Sequence, residues 1–429
     1  MTVEVVVMNT LAVALATDSA VTVGNIDKIF SSANKLFMLS KHHPVGIMVY
    51  GDASILEVPW ETIIKIYRKK IGNKEMDTIM DYTTDFIDFL NNNINLFPIE
   101  IQKIFFKLML EIHFKDEIDE LDEKIKDMLS KNKNGLDESQ IKGIVDGQID
   151  ESYKLISELD FLNSINEQDV KQIIRNNKIE IDELIDSYYQ KLPIDKQRRN
   201  LLRKYAVHLY TKDYSETDYE YPLNSGIVIA GFGKNDIYPV ETHFSIRSVL
   251  DNKIIMSKIE ENKISPEVSR AIIIPFAQSD MVRNFMNGVS PNYRDWIKDY
   301  VKIIYDELNA MLLDNLNINE SDKKSIEEKL NEIGQNQYEK FLEVEDEVIK
   351  NNWRPIIDIV RALPKDELAK MAETLVNITL FKKRVSVEPE TVGGPIDVAV
   401  ISKGDGFIWI KRKHYFDKEL NTYYFKKEL

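Results

Sequence analysis

Strand-forming sequence in this chain comes in three separated pieces, each too small to fold alone, so whatever sheet forms must collect them across long helical stretches. In the first piece, Thr2–Val7 and Leu11–Ala16 are apolar runs separated by Met8-Asn9-Thr10, which predicts a hairpin. Both runs are continuously apolar, which predicts strands buried on two faces, as in a sheet packed beneath helices. Gly46–Tyr50 reads as a further strand, Gly51-Asp52-Ala53 as a turn and Leu56–Lys70 as an amphipathic helix. The second piece, 226–256, holds Gly226–Ala230, a turn at Gly231–Lys234 and Pro239–Ile246. The third, 393–425, ends in Phe407–Lys411 and Tyr423–Lys426.

Between these pieces the sequence changes in kind. Residues 71–220 are rich in Ile, Leu, Lys, Glu, Asp and Asn. Their apolar positions fall three and four apart, as in Ile101-Ile104-Phe105-Leu108 and Leu155-Ile156-Leu159. That spacing predicts several helices, with breaks at Pro98, Gly135 and Pro193. A second helical stretch covers roughly 280–385. No run reaches the ~18 consecutive apolar residues of a membrane helix. Val5–Ala16 followed by Thr17 imitates a signal-peptide core, but no Lys or Arg precedes it, Glu4 stands where positive charge belongs, and Asn9 and Thr10 interrupt it. A cytoplasmic location without membrane contact is expected.

Composition narrows the chemistry. The chain has 56 basic and 71 acidic residues, a net charge of -15, which disfavours nucleic acid as a partner. Arg198-Arg199 with Arg203-Lys204, and Lys411-Arg412-Lys413, read as solvated faces. Cysteine is absent, which removes disulfides, thiolate metal sites and cysteine nucleophiles, and leaves Ser, Thr, Lys or a carboxylate for covalent catalysis. Gly231-Phe232-Gly233 lacks the third glycine of a dinucleotide fingerprint, phosphate-loop and zinc-helix motifs are missing, and His42-His43 precedes Pro44 in a loop. No cofactor and no metal are expected.

One constellation remains. Methionine is removed before small residues, so a processed chain begins with Thr2, whose α-amine lies beside its own hydroxyl and can take the Oγ proton near neutral pH. Such a nucleophile needs a nearby cation to keep the amine pKa low and a carboxylate to orient that cation. Asp18 closes the second run, which returns antiparallel beside Thr2, and Lys35 opens the next strand, Leu36–Leu39. Taken singly, Thr2 is a common second residue, Asp18 a turn residue and Lys35 a surface lysine. Their joint spacing favours the catalytic reading.

Thr2–Gly51 resembles the start of a proteasome-type β-subunit, including the bacterial HslV peptidase, in the N-terminal nucleophile (Ntn) hydrolase superfamily. The carrying residues are TVEVVVMNTLAVALATDSAVT, NKLFML and VGIMVYG. In that family an aspartate follows the catalytic threonine by sixteen residues, and here 18 − 2 = 16, with Asp18-Ser19-Ala20-Val21-Thr22 in the family's A-D-S/T-x-x-T context. Lys35 in Asn34-Lys35-Leu36-Phe37 fits the family lysine after a small insertion. A backbone N–H of the turn at Gly51 is implied as oxyanion donor, although Tyr50 replaces a usual glycine. Ser225–Tyr238 and Ala372–Gly406 are similar to later parts of the family. The resemblance covers under half the chain. Ahead of Gly393-Gly394, a pair that by itself reads more readily as a plain turn, Val392 stands where the family has a serine, and Glu390 or Glu388 would supply its acid. Ser279, or Gln278, is the match for a further family serine.

The resemblance implies an α+β chain, a four-layer αββα Ntn-hydrolase sandwich with large helical insertions. Its core would occupy 1–70, 221–289 and 366–429, with a helical insertion at 71–220 and a helical addition at 290–365. The implied activity is cleavage of amide bonds, peptide bonds foremost, through an acyl-enzyme after removal of Met1. Thr2, Asp18, Lys35, Gly51, Ser279 and Glu390 form the implied site. Implied partners are a peptide or protein substrate, further copies of the chain, and a protein bound by the helical insertion. A second reading keeps the fold without the chemistry, as an inactive binding or assembly scaffold, because Tyr50 and Val392 replace small or hydroxylated residues. A third, a mostly helical regulator, requires that no two stacked sheets exist.

Overall fold

A computed structural model describes residues 2–23, 28–132, 135–214, 224–315, 320–387, 392–417 and 419–422. From the N-terminus, β1 (Val3–Asn9) pairs with β2 (Val13–Thr17), β3 (Val21–Val23) with β4 (Lys28–Phe30), and β5 (Leu36–Met38) with β6 (Val45–Gly51). The short pair β7 (Ser54–Ile55) and β8 (Val58–Pro59) leads into α1 (Trp60–Ile71). Helices α2 (Ile79–Asn92), α3 (Ile99–Lys131), α4 (Glu138–Ser157), α5 (Glu167–Asn176), α6 (Lys178–Tyr189) and α7 (Lys196–Thr211) follow. The chain returns to strand in β9 (Ser225–Gly231), β10 (Val240–Leu250), β11 (Lys253–Met256), β12 (Glu260–Lys263) and β13 (Ala271–Ala277). Four helices, α8 (Asp280–Asn287), α9 (Pro291–Asn315), α10 (Glu320–Val360) and α11 (Lys365–Val385), precede the closing hairpin of β14 (Asp397–Ser402) and β15 (Gly406–Lys411).

The class is mixed α+β with antiparallel sheets. One sheet has the order β13-β1-β2-β14-β15 and the other β11-β10-β9-β6-β5, with β12 also paired to β10. The three strand pieces of the sequence are therefore collected as anticipated. Alternation along β1 explains its unbroken apolar character: Val3, Val5 and Val7 pack with α11, while Val6 and Met8 meet Leu36, Met48, Val228 and Ala230 of the other sheet. The outer face of that second sheet buries Trp60, Ile63 and Tyr67 of α1 and Tyr82, Phe86 and Phe89 of α2. Asn9, which breaks the apolar run in sequence, is buried. Its side chain accepts from Leu11 N at 2.9 Å and donates to the carbonyls of Val360 and Leu363 at 3.0 and 2.9 Å, tying the first hairpin to the α10–α11 junction.

Several boundaries differ from the sequence reading, each for a local reason. The helix expected from Leu56 starts at Trp60, because Leu56 and Glu57 form the β7–β8 turn with positive φ. The insertion expected from residue 71 is two things: α2 belongs to the core beneath the second sheet, whereas α3–α7 enclose their own core, to which the sheets add Leu250 and Ile255. Pro98 is the N-cap residue of α3, where the separate module begins. Strand β13 was not anticipated, since Pro275 interrupts it in sequence. It lies at the edge of its sheet, where proline's missing N–H is tolerated. Tyr423–Lys426 lie outside the described residues, and none of the described helices is long and apolar enough to cross a membrane.

Tyr50 shows how one departure from pattern is absorbed. It sits opposite Gly226, and a β-carbon there would land on its ring. The ring also stacks on Phe276 at 5.5 Å. Gly226→Ala should therefore destabilise the protein by about 1–3 kcal/mol in urea unfolding. The same change should cost clearly less in a Tyr50→Ala background, and equal costs in both would show that the ring is not what Gly226 accommodates.

Candidate functional site around Thr2

Thr2 precedes β1 and is 2% exposed, with its carbonyl accepting from Gln278 N at 3.0 Å. The β1–β2 hairpin returns the chain so that Asp18 lies beside Val3: Asp18 N donates to the Val3 carbonyl at 3.2 Å, and Val3 N donates to Asp18 Oδ1 at 3.2 Å. The same Oδ1 accepts from Lys35 Nζ at 2.7 Å. Lys35 stands immediately before β5 and comes across from the second sheet. Asp18 Oδ2 takes Ala20 N at 3.1 Å and Gly393 N at 3.0 Å. Asp18 is fully buried and Lys35 is 5% exposed, so burial pushes the Lys35 ammonium down while Asp18 pulls it back up. The structure thus brings Asp18 and Lys35 together beside the residue that follows Thr2, and Gly393 is drawn to the same carboxylate.

The remaining expected residues fall out differently. Gly51 ends β6 with φ of 78°, and a β-carbon there would collide with the Asn224 carbonyl, so only glycine fits. Its turn is held by Asp52 N donating to Asn224 O at 3.1 Å and by Ser225 Oγ, which donates to the Asp52 carbonyl at 3.2 Å and accepts from Trp60 Nε1 at 2.9 Å. Burial pushes the Asp52 carboxyl up to about 6. Behind this turn Asp52, Leu56, Phe105, Met109, Tyr210 and Arg247 line a cavity of about 110 Å³, so α3 and α7 meet the core here. Ser279 is the N-cap residue of α8, and its Oγ accepts from Arg283 Nε at 3.0 Å. Val392 is buried in the apolar cluster with α11, a packing role in place of a hydroxyl. Glu390 and Glu388 lie outside the described residues.

Sequence reasoning missed a polar row beside the site. Glu4, Thr17 and Asp397 are register partners across β1, β2 and β14. Asp397 is paired with Lys413, whose backbone N also donates to Asp397 Oδ1 at 2.8 Å. Glu4 is fully buried and its Oε2 has no hydrogen-bond partner. Burial pushes its carboxyl up to about 8, against the opposing pull of Lys35. The available signal was a charged residue inside an otherwise apolar strand, at Glu4 and again at Asp397. Among the described residues no group of acids and histidines is placed to hold a metal ion.

No protein-family model matches the chain, and no curated protein matches it. Solved structures similar to it include Anbu (ancestral beta-subunit) from Yersinia bercovieri, at 11% identity over 99% of this chain and 94% of that one, with a TM-score of 0.29. The Anbu (Gly-1) mutant from Hyphomicrobium sp. strain MC1 matches at 10% identity over 100% and 94%, again with a TM-score of 0.29.

Two stability measurements check this geometry. Asp18→Ala should cost about 3–5 kcal/mol, because it leaves Lys35 buried without its counter-ion, and combining it with Lys35→Met should recover part of the loss. A cost below about 1 kcal/mol would mean the pair is not buried as described. Glu4 has the opposite pH signature. Its folded pKa of about 8 lies above the ordinary 4.5, so the native state keeps a proton that the unfolded chain releases, and stability is lost as pH rises through that window. The stability of Glu4→Gln relative to wild type should rise by about 1.4 kcal/mol per pH unit between these limits. A difference that stays constant with pH would show that Glu4 is ionised in the native protein.

Proposed function

We propose that the chain, once Met1 is removed, is a threonine-type amidohydrolase of the proteasome β-subunit and HslV kind, cleaving peptide bonds on a four-layer αββα Ntn-hydrolase sandwich. The observation that carries this reading is the buried Asp18–Lys35 pair, whose shared oxygen also binds the amide of the residue after Thr2. In this scheme Thr2 Oγ attacks the substrate carbonyl and its proton passes to the Thr2 amine. Lys35 keeps that amine's pKa low and Asp18 fixes Lys35. A backbone N–H at Gly51 faces the developing oxyanion. The protonated amine then gives its proton to the departing amine, leaving an ester on Thr2. Water, deprotonated by the same amine, releases the acid and restores the hydroxyl. Ser279, occupied by Arg283, takes no step in this scheme. Substrate selection falls to the cavity behind Gly51, where the α3–α7 module supplies a wall. Self-assembly and a partner for that module belong to the same proposal.

A non-catalytic scaffold is the competing reading, favoured by the packing roles of Tyr50 and Val392. Labelling decides between them. Met1-free wild type treated with a threonine-directed electrophile should gain one adduct by intact mass, and Thr2→Ala none. An unlabelled wild type, or equal labelling of both proteins, would overturn the hydrolase.

A further inference from the structure

We propose that Glu4 is a neutral carboxylic acid in the folded protein, and that by donating to Thr17 it positions Asp18, and through it Lys35, for the chemistry assigned to Thr2. The positioning half of this rests on the reading of Thr2 as nucleophile. The proton itself rests on geometry alone. Thr17 Oγ lies 3.1 Å from the Asp18 carbonyl oxygen and 3.2 Å from Glu4 Oε1. The hydroxyl has one proton for these two oxygens, and both contacts are hydrogen bonds at once only if that proton serves the Asp18 carbonyl, which can only accept. The contact with Glu4 is then a hydrogen bond only if Glu4 supplies the second proton. A relay results, from Glu4 O–H to Thr17 Oγ and from Thr17 O–H to the backbone of Asp18.

Two further observations agree. Glu4 Oε2 is buried without a donor, whereas the carboxylate of Asp18 gathers four. An ionised group in the first environment would leave its charge unmatched. The nearby cations are also committed, Lys35 to Asp18 and Lys413 to Asp397. The groups that act on Glu4 are Thr17 on β2, Asp18 after it, Lys35 before β5 and, across the gap, Tyr50 on β6, whose phenol is pushed up by burial and then by Glu4. Beyond Tyr50, Glu241 and Glu260 bracket His243, with nitrogen–oxygen distances of 3.0 and 3.3 Å. Ionising Glu4 would add an anion to this set, break the relay, and offset the field that Lys35 exerts on the Thr2 amine. Glu4 is thus a positioning residue, set two places along the strand from the nucleophile and on its face of the sheet.

Infrared spectroscopy and labelling kinetics test the two halves separately. The wild-type spectrum at pH 7 should contain a protonated-carboxyl C=O stretch that Glu4→Gln lacks, with a titration midpoint of about 8, apart from the Asp52 signal that titrates near 6 in both proteins. Labelling of Met1-free wild type should fall about tenfold between pH 7 and pH 9, as a single ionisation near 8 requires. Glu4→Gln keeps a donor but cannot ionise, so its ratio of rates at pH 9 and pH 7 should be about tenfold higher than that of wild type. Thr17→Val, which cuts the relay, should slow labelling at every pH. Absence of the band from the native spectrum, or an unchanged alkaline fall in Glu4→Gln, would overturn the proposal. Failure to label wild type at any pH would remove the positioning role together with the nucleophile, while the band still decides where the proton is.

Discussion

Asp18 is the junction on which the rest of the structure depends. Taking a carboxylate and an ammonium out of water costs of the order of several kcal/mol per ion, and a bare contact between them does not recover it. Recovery here comes from convergence: the amides of Val3, Ala20 and Gly393 and the ammonium of Lys35 all reach one carboxylate. These donors come from the first strand, the turn after the second, the edge of the opposite sheet and the loop before β14. Both sheets and segments from early and late in the chain therefore meet at a single side chain, so substituting it exposes several unmet groups at once.

That junction also explains why polar residues collect at one end of an otherwise apolar interior. Between the sheets, Val6, Met8, Val13 and Leu15 fill the gap, and the row above them is Glu4, Thr17 and Asp397. Counting the charges, Asp18 and Asp397 balance Lys35 and Lys413, and a protonated Glu4 leaves the set neutral. A neutral set is the arrangement a dry gap favours, because each unmatched charge there would act in low dielectric. The Lys35 charge is kept local by its partner at 2.7 Å, which is the geometry Asp18 imposes.

The first hairpin, the Asp18–Lys35 relationship and the gathering of three strand pieces were legible because each leaves a local mark: a period, a spacing or a turn residue. Glu4 was not read as part of the site, because a charge within a strand has no local signature of burial and its meaning depends on Thr17 and Lys35. β13 was hidden by Pro275, a residue that weighs against strand until its edge position is known. The Leu56 start failed because apolar periodicity continues through a turn whose positive φ values no sequence rule demands of Leu and Glu. Gln278 N does reach Thr2 O, so the segment is in place, but the serine one residue on turns its hydroxyl to Arg283.

The attachment of the helical module shows how so large a segment coexists with this core. Asp251 and Asn252 form the β10–β11 turn with φ of 50° and 60°, a twist suited to a tight hairpin. The module grips that turn. Gln102 Nε2 donates to Asn252 Oδ1 and Gln102 Oε1 accepts from Asn252 N, each at 2.9 Å, while Asn176 and Asn177 donate to Asp251. The contacts fall on the β11 side of the second sheet, opposite the β5 edge from which Lys35 reaches Asp18. Helices added at a hairpin tip leave strand pairing intact, since a turn has no ladder partners to displace. Among the described residues the module meets the core at the Gly51–Asp52 turn, through Phe105, Met109 and Tyr210. A core whose buried Asp18–Lys35 pair is fixed from one sheet edge can thus acquire new walls from the other without moving Thr2, Asp18 or Lys35.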